Sequence, residues 1–351
     1  MELELPARPH SGASDAFDAS GASSAPGRAF LLAGNPRPVL EAAASSIRRG
    51  PRGVLALVLE TEGSTYAGVG DIVLFDDNLQ VGWLSGGCLE PQLATRARSV
   101  SDSGKIAWVE IDTRSDDDLL AGSALGCRGR LRIAMLPLWS LPGMEALIEA
   151  WLHAGVCLLA NVGADGVVAF EAGSHHAQWL LDTDAEQWSG STAMWRVSLP
   201  RLPRLLVFGA GPETHTLVPL LRELGWWVCL AERRARWNGV GASADARLPA
   251  SPMAAIQEAG ADAALVMHHD FELDREALDA LANSRIDFIG LLGPRRRRDD
   301  LFKLLQPAQR ASLVPRLRSP VGLDLGGRGP EAIALSIGAQ LQQWRAGAVS
   351  A

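Results

Sequence analysis

The 351-residue sequence has no surplus of positive charge, no disulfide complement of cysteines, and no apolar run near the ~18 residues a membrane span requires. Each absence removes a class of protein. A formal net charge of −7 argues against a general nucleic-acid binder, whose domain carries a net basic face. The one dense basic run, Arg295-Arg296-Arg297-Arg298, is followed at once by Asp299 and Asp300 and reads as a solvated helix start. Four cysteines in a chain this long make no disulfide framework, and all four fit a reducing, cytoplasmic compartment. Residues 1–28 are rich in Ala, Ser, Gly and Asp. They lack the apolar core of a signal peptide and read as a flexible tail.

What is present is a globular composition, 47% hydrophobic and 21% charged, long enough for two domains. PVLEAAASSIRRG has helical spacing and stops at Gly50, and Val54–Glu60 is a glycine-flanked apolar run of the buried-strand kind. DIVLFDDNLQVGWLSGG reads as a hairpin, Pro91–Val100 as a helix, and Lys105–Asp112 and Arg130–Leu136 as strands. Together these predict an α/β N-terminal domain over residues 36–140. In 141–198 one helix, MEALIEAWLHAG, meets strand-like runs whose architecture is not legible, and the span is taken as a connecting segment. Beyond the proline-punctuated LPRLPR, residues 203–346 alternate strand and helix regularly. That alternation predicts a Rossmann-like domain with a doubly wound parallel sheet.

In LLVFGAGPET, Gly209 and Gly211 stand between a strand and a helix, where glycine permits close backbone approach to a phosphate. Glu232 ends the next strand, where an acid accepts from a ribose hydroxyl, while Thr214 replaces the third glycine. Arg233 and Arg234 beside it either reach an added phosphate or lie in solvent. His268, His269 and Asp270 follow AALVM at the sheet edge where ligands of parallel sheets bind. A metal there is disfavoured, because adjacent histidines point apart. From these residues alone the domain is either an NAD(P)-dependent oxidoreductase or a site for another nucleotide.

The denser constellation is N-terminal. Gly63-Ser64-Thr65 follows a buried strand, and Ser85-Gly86-Gly87-Cys88 runs from a strand into a helix. Successive amides in such turns form an anion-binding concavity, to which a helix start adds partial positive charge. The same position favours a thiolate, and hence a nucleophile or metal ligand, at Cys88. Gly126-Cys127-Arg128-Gly129 holds a second glycine-flanked cysteine with an arginine beside it. Cys157 and Cys229 lie in apolar runs and read as buried thiols.

On these strings the chain resembles the XdhC/CoxI maturation factors of molybdenum hydroxylases such as xanthine dehydrogenase. Glu60-Thr61-Glu62-Gly63-Ser64-Thr65-Tyr66, Gly82 to Glu90, the Gly126 to Gly129 loop, FGAGPE, MHHD, DFIGLLGP and SPVGLDLGGRGPEAIALSI occur in the family's order. Two departures stand out: Ala67 and Gly68 replace the family's arginines after the GST motif, and Arg128 replaces a smaller residue. The resemblance implies a cytoplasmic, homodimeric, cofactor-binding chaperone without turnover of its own. Such a protein binds the molybdenum cofactor (molybdopterin), supports its sulfuration with a cysteine desulfurase, and inserts it into an apo molybdenum hydroxylase. Nucleic acid and membranes are not among the implied partners. Gly63, Ser64, Thr65, Ser85, Gly86, Gly87 and Arg128 would then surround the pterin phosphate, with Cys88 and Cys127 at the molybdenum or its sulfur. Gly209, Gly211, Glu232, His269 and Asp270 would hold any ligand of the second domain.

Overall fold

Asn35 accepts a hydrogen bond from the Arg37 amide and so caps α1 (Pro36–Arg49), which ends at left-handed Gly50. The computed structural model describes residues 34–112, 129–183 and 194–349, apart from positions 51, 78 and 238. After α1 come β1 (Val54–Gly63), β2 (Ile72–Asp76), β3 (Leu79–Val81), α2 (Glu90–Ser103), β4 (Ala107–Asp112) and β5 (Gly129–Pro137). These strands form an antiparallel sheet of order β3-β2-β1-β5-β4. The apolar run in β1 is continuous because both faces of the sheet are covered. Val54, Ala56 and Val58 pack with Leu93, Ala97 and Val100 of α2, whereas Leu55, Leu57 and Leu59 join Val39, Leu40 and Ala43 of α1. The hairpin's second strand stops at Val81, earlier than its hydrophobic pattern suggests, and 82–89 is an irregular turn.

The span 141–198 has an architecture of its own. It holds α3 (Met144–Ala154), β6 (Leu158–Gly163), β7 (Val167–Ala172), β8 (His175–Leu180) and β9 (Met194–Leu199), with the strands paired antiparallel in the order β8-β7-β6-β9. Helices α1 and α3 share one core with this sheet and with β1. Cys157 is exposed, contrary to its apolar sequence context. Gly155 ends α3 in a left-handed conformation, and the chain stays near the surface until Leu158 enters the sheet.

Then follow β10 (Arg204–Phe208), α4 (Thr214–Glu223), β11 (Trp227–Ala231), β12 (Ala246–Arg247), α5 (Pro252–Ala259), β13 (Ala263–Val266), α6 (Phe271–Ala282), β14 (Phe288–Leu291), α7 (Arg295–Leu304), α8 (Pro307–Leu313), β15 (Leu317–Arg318) and α9 (Pro330–Val349). All six strands are parallel, in the order β12-β11-β10-β13-β14-β15. This is the doubly wound Rossmann order, with its switch point between β10 and β13. Leu205, Val207 and Val228 face α4 and α9, while Leu206, Phe208 and Val266 face α5 and α6. The basic run at 295–298 does open a helix, yet it is not wholly solvated. Arg297 turns inward to the fully buried Asp274, 2.7 Å away.

Candidate functional site

The Ser85–Cys88 turn is organised by a residue two positions further on. Glu90, buried at the first turn of α2, accepts from the amides of Leu84 (3.0 Å) and Ser85 (2.9 Å), and from the Ser85 hydroxyl. The Ser85 Oγ in turn accepts from the amides of Gly87 and Leu89, both at 3.1 Å. The Ser85 hydroxyl is thus engaged in holding the turn. The amides of Gly86 and Cys88 have no partner among the described residues, and the Cys88 thiol is exposed. They are what the turn offers a ligand. Sequence reasoning misses Glu90, although a serine just ahead of a glutamate at a helix start carries the same logic as a capping box.

The GST turn lies at the same end of the sheet. The C-terminal end of α2 is fixed at the opposite end, because the Ser101 hydroxyl donates to Arg52 O (2.7 Å) and Trp139 Nε1 to Ser101 O (3.1 Å). Fourteen residues at 1.5 Å each carry the helix about 21 Å back along β1, toward Gly63. Gly63 pairs with Gly129, the first residue of β5 and the last of the GCRG motif. A Cβ on Gly129 would lie 2.6 Å from Ser64 O and 2.5 Å from Thr65 Cγ2, so only glycine allows this approach. Thr65 donates its hydroxyl to Ala67 O (2.8 Å), and Ser64 is exposed with no hydrogen bond to its hydroxyl among the described residues. Ala67 is buried in the α2-side core, which explains why an arginine is not accommodated there. Cys127 and Arg128 lie outside the described residues.

Among the described residues, the two arginines of β5 at this end are already paired. Arg132 donates to Glu60 (2.7 Å), and Arg130 is in contact with Glu110 and, at 4.0 Å, with Glu62. The Trp195 indole N–H, followed by Arg132, holds the Glu60 carboxyl below its usual range. Among the described residues, then, an anion here would be met chiefly by backbone amides. No group of three or more His, Cys, Asp or Glu among them could hold a metal ion.

The C-terminal crevice is self-satisfied. Gly209, in the left-handed region, lies so close to His268 that a Cβ would fall 2.5 Å from His268 Cα. The Gly211 amide donates to Thr214 Oγ1 (2.8 Å), so the residue at the third-glycine position closes the turn. Glu232 does not face an open ribose pocket. It accepts from the amides of Ala210 and Arg234, both at 2.7 Å, and from the Arg234 guanidinium. Burial would raise the Glu232 carboxyl, but these donors keep it below its ordinary value. Arg234 also donates to Ala210 O (2.8 Å) and to His268 O, bridging the mouth of the turn.

A second pair covers the start of α4. The buried Glu213 carboxylate meets His269 Nε2 at 2.9 Å, and this bond raises the His269 pKa. Asp270 caps α6 by accepting from Leu273 N (3.0 Å), and His268 pairs with buried Asp274 through Nδ1 (3.0 Å). The adjacent histidines do point apart. Gly209, Gly211, Glu232 and His269 thus come together, but the polar groups of the last three are taken up by neighbours: Gly211 N by Thr214, Glu232 by Ala210 N and Arg234, and His269 by Glu213, while Asp270 serves the helix.

Comparison with known proteins agrees with both halves. A family model described as "XdhC and CoxI family" matches residues 46–112, and one described as "XdhC Rossmann domain" matches residues 205–341. A Bacillus subtilis protein named as one of the probable subunits of xanthine dehydrogenase is 28% identical over 312 residues, spanning 83% of this chain and 93% of its own length. A solved structure from Bacillus halodurans, described as a xanthine dehydrogenase, superposes with a TM-score of 0.72 at 28% identity. That superposition covers 89% of this chain and 96% of the other. Among the described residues no helix is long and apolar enough to cross a membrane.

Proposed function

The chain belongs to the XdhC and CoxI family, and on that premise we propose that it is a maturation factor that binds the molybdenum cofactor. In this reading it supports sulfuration of the cofactor with a cysteine desulfurase and delivers it to an apo hydroxylase of the xanthine dehydrogenase class. It works as a cytoplasmic homodimer, without turnover of its own. The observation that carries the reading is the gathering of the GST turn, the Ser85–Cys88 turn and Gly129 at one end of the N-terminal sheet, with Cys88 exposed. The residues fit such a ligand. The free amides of Gly86 and Cys88 and the hydroxyl of Ser64 suit a phosphate, and a thiol suits a soft metal. When bound, the cofactor brings the molybdenum chemistry of the recipient enzyme, and this chain's residues hold and release it. Cys127 and Arg128, which lie outside the described residues, are assigned to the same ligand on the family resemblance alone.

The test is expression in a molybdenum-replete host, followed by release and identification of bound pterin. Cys88→Ala should lower the cofactor recovered by about tenfold or more, the scale on which metal-site substitutions act. Its thermal unfolding midpoint should match wild type, because the thiol is exposed. Full cofactor occupancy in Cys88→Ala would remove the thiol from the site.

No observation favours the oxidoreductase reading of the C-terminal domain. A dinucleotide needs the donors of the glycine turn and an open acid, and here Glu232, Arg234 and Thr214 already use them. Glu213 further places a buried carboxylate where the pyrophosphate would approach α4. Calorimetric titration of the protein with NAD or NADP is expected to give no binding at millimolar ligand, whereas micromolar affinity for either would restore that reading.

A further inference from the structure

A cavity of about 200 Å³ lies where the three sheet regions of the chain meet, away from both glycine turns. Its wall takes in the 69–72 turn behind the GST motif, the 198–202 crossing into the C-terminal domain, the α4–β11 turn, and Arg345 of α9. Two charged groups in this wall are under-partnered. Asp71 accepts from the Gly68 amide (2.8 Å) and has no cation partner among the described residues. Arg345 donates to Leu224 O (2.9 Å) and has no carboxylate partner among them. Of the other polar side chains of the wall, Asn35 donates to Arg222 O and Glu223 O, Arg201 grips Asp262, and Ser198 adds a neutral hydroxyl.

Half-buried charges of opposite sign usually close on each other. Asp71 and Arg345 do not, although they line one cavity. Burial raises the Asp71 carboxyl, against the Gly68 amide, and lowers the Arg345 guanidinium, so both carry an uncompensated desolvation cost. A lone anion entering the cavity would meet Arg345 but be repelled by Asp71, and a lone cation the reverse. Only a ligand with both charges satisfies the pair. The space lies below the ~300 Å³ of drug-sized pockets, which restricts the ligand to a small one. Val69, Ile72, Leu199 and Leu202 supply an apolar remainder.

We propose that this cavity binds a small neutral α-amino acid as its zwitterion, with the carboxylate on Arg345 and the ammonium on Asp71. The consequence reaches the proposed cofactor site. Asp71 holds the Gly68 amide, and the same turn holds Thr65 through Ala67 O, beside Gly129. An occupant that fixes Asp71 also fixes the GST turn, so the cavity is a regulatory site for that end of the sheet.

The experiment is calorimetric titration of the full chain with glycine, alanine and valine, beside acetate and methylammonium as single-charge controls. Binding of at least one amino acid is expected, with each control weaker by about tenfold or more, the scale of one charge-assisted hydrogen bond. Arg345→Met should lose a similar factor, and so should Asp71→Asn, whose amide oxygen still accepts from Gly68 N. Hydrogen exchange at Gly68 and Gly70 should slow on binding. The proposal is overturned if no amino acid binds, if acetate or methylammonium binds as tightly, or if both variants bind as wild type does. Because these readouts need no molybdenum, failure here leaves the cofactor reading standing, and loss of that reading leaves this one testable.

Discussion

Glu90→Ala is expected to destabilise the protein by about 3 kcal/mol and to abolish recovery of bound cofactor. The carboxylate is buried and receives two amides and a hydroxyl, all within the turn it organises. Truncation strands those donors, at roughly 1–3 kcal/mol for each buried group that water cannot reach. Glu90→Gln separates the causes. The glutamine oxygen can still accept from Leu84 N and Ser85 N, but its NH2 group then faces the Ser85 oxygen. That oxygen already accepts from Gly87 N and Leu89 N, and its own hydrogen loses its acceptor. The expected cost is about 1 kcal/mol, with cofactor recovery reduced but not lost. Thermal or urea unfolding of both variants, with pterin release from the same preparations, is the measurement. If Glu90→Ala unfolds at the wild-type midpoint, the carboxylate does not hold the turn. The comparison with Cys88→Ala matters, since that variant should lose cofactor without losing stability.

This residue marks the limit of what the chain discloses unfolded. The strings GST and SGGC are legible because glycine-rich turns between strands have few uses. The pairing of Gly63 with Gly129 that unites them depends on the register of β1 against β5, which neither string contains. Glu90 stands within a motif that assigns it no role, because its role depends on where α2 begins relative to Leu84 and Ser85. The four inner strands of the parallel sheet are legible, down to the acid just past β11, whereas the two-residue edge strands β12 and β15 are too short to leave a pattern. What that acid does is not legible. Spacing places a carboxylate at Glu232 equally well for a ribose or for Arg234 two residues later, and only the closed geometry decides. Residues 141–198 resist for a different reason. Strand β8 (HHAQWL) only half-buries Ala177 and Trp179 on its one inward face, so its alternation is weak, and its place is set by a sheet completed only when β9 returns beside β6.

Arg37→Ala is expected to cost about 3 kcal/mol and to loosen the attachment of the C-terminal domain to the rest, with no change in the charge exposed to solvent. Arg37 is only 4% exposed in the first turn of α1 and reaches across to the C-terminal domain. It grips Asp245 with both terminal nitrogens, donates to Trp226 O (3.1 Å), and lies 5.3 Å from the centre of the Trp227 ring. Asp245 is as deeply buried, and keeps Arg222 Nε (3.0 Å) and the Val228 amide (2.8 Å) when Arg37 is gone. Those remaining donors place the loss at the lower end of the roughly 3–5 kcal/mol for breaking a buried pair. Salt should leave the effect unchanged, because a buried pair is poorly screened. Asp245→Ala should cost a similar amount by stranding Arg37, and the double variant should cost less than the two singles together. Unfolding should then be less cooperative, and limited proteolysis should cut the 199–204 crossing faster than in wild type, since Asn35 on Arg222 O and Glu223 O is then what α1 keeps across the domains. Strict additivity in the cycle would show that Arg37 and Asp245 act independently, and proteolysis of Arg37→Ala at the wild-type rate would show that Arg37 does not carry the coupling between the domains.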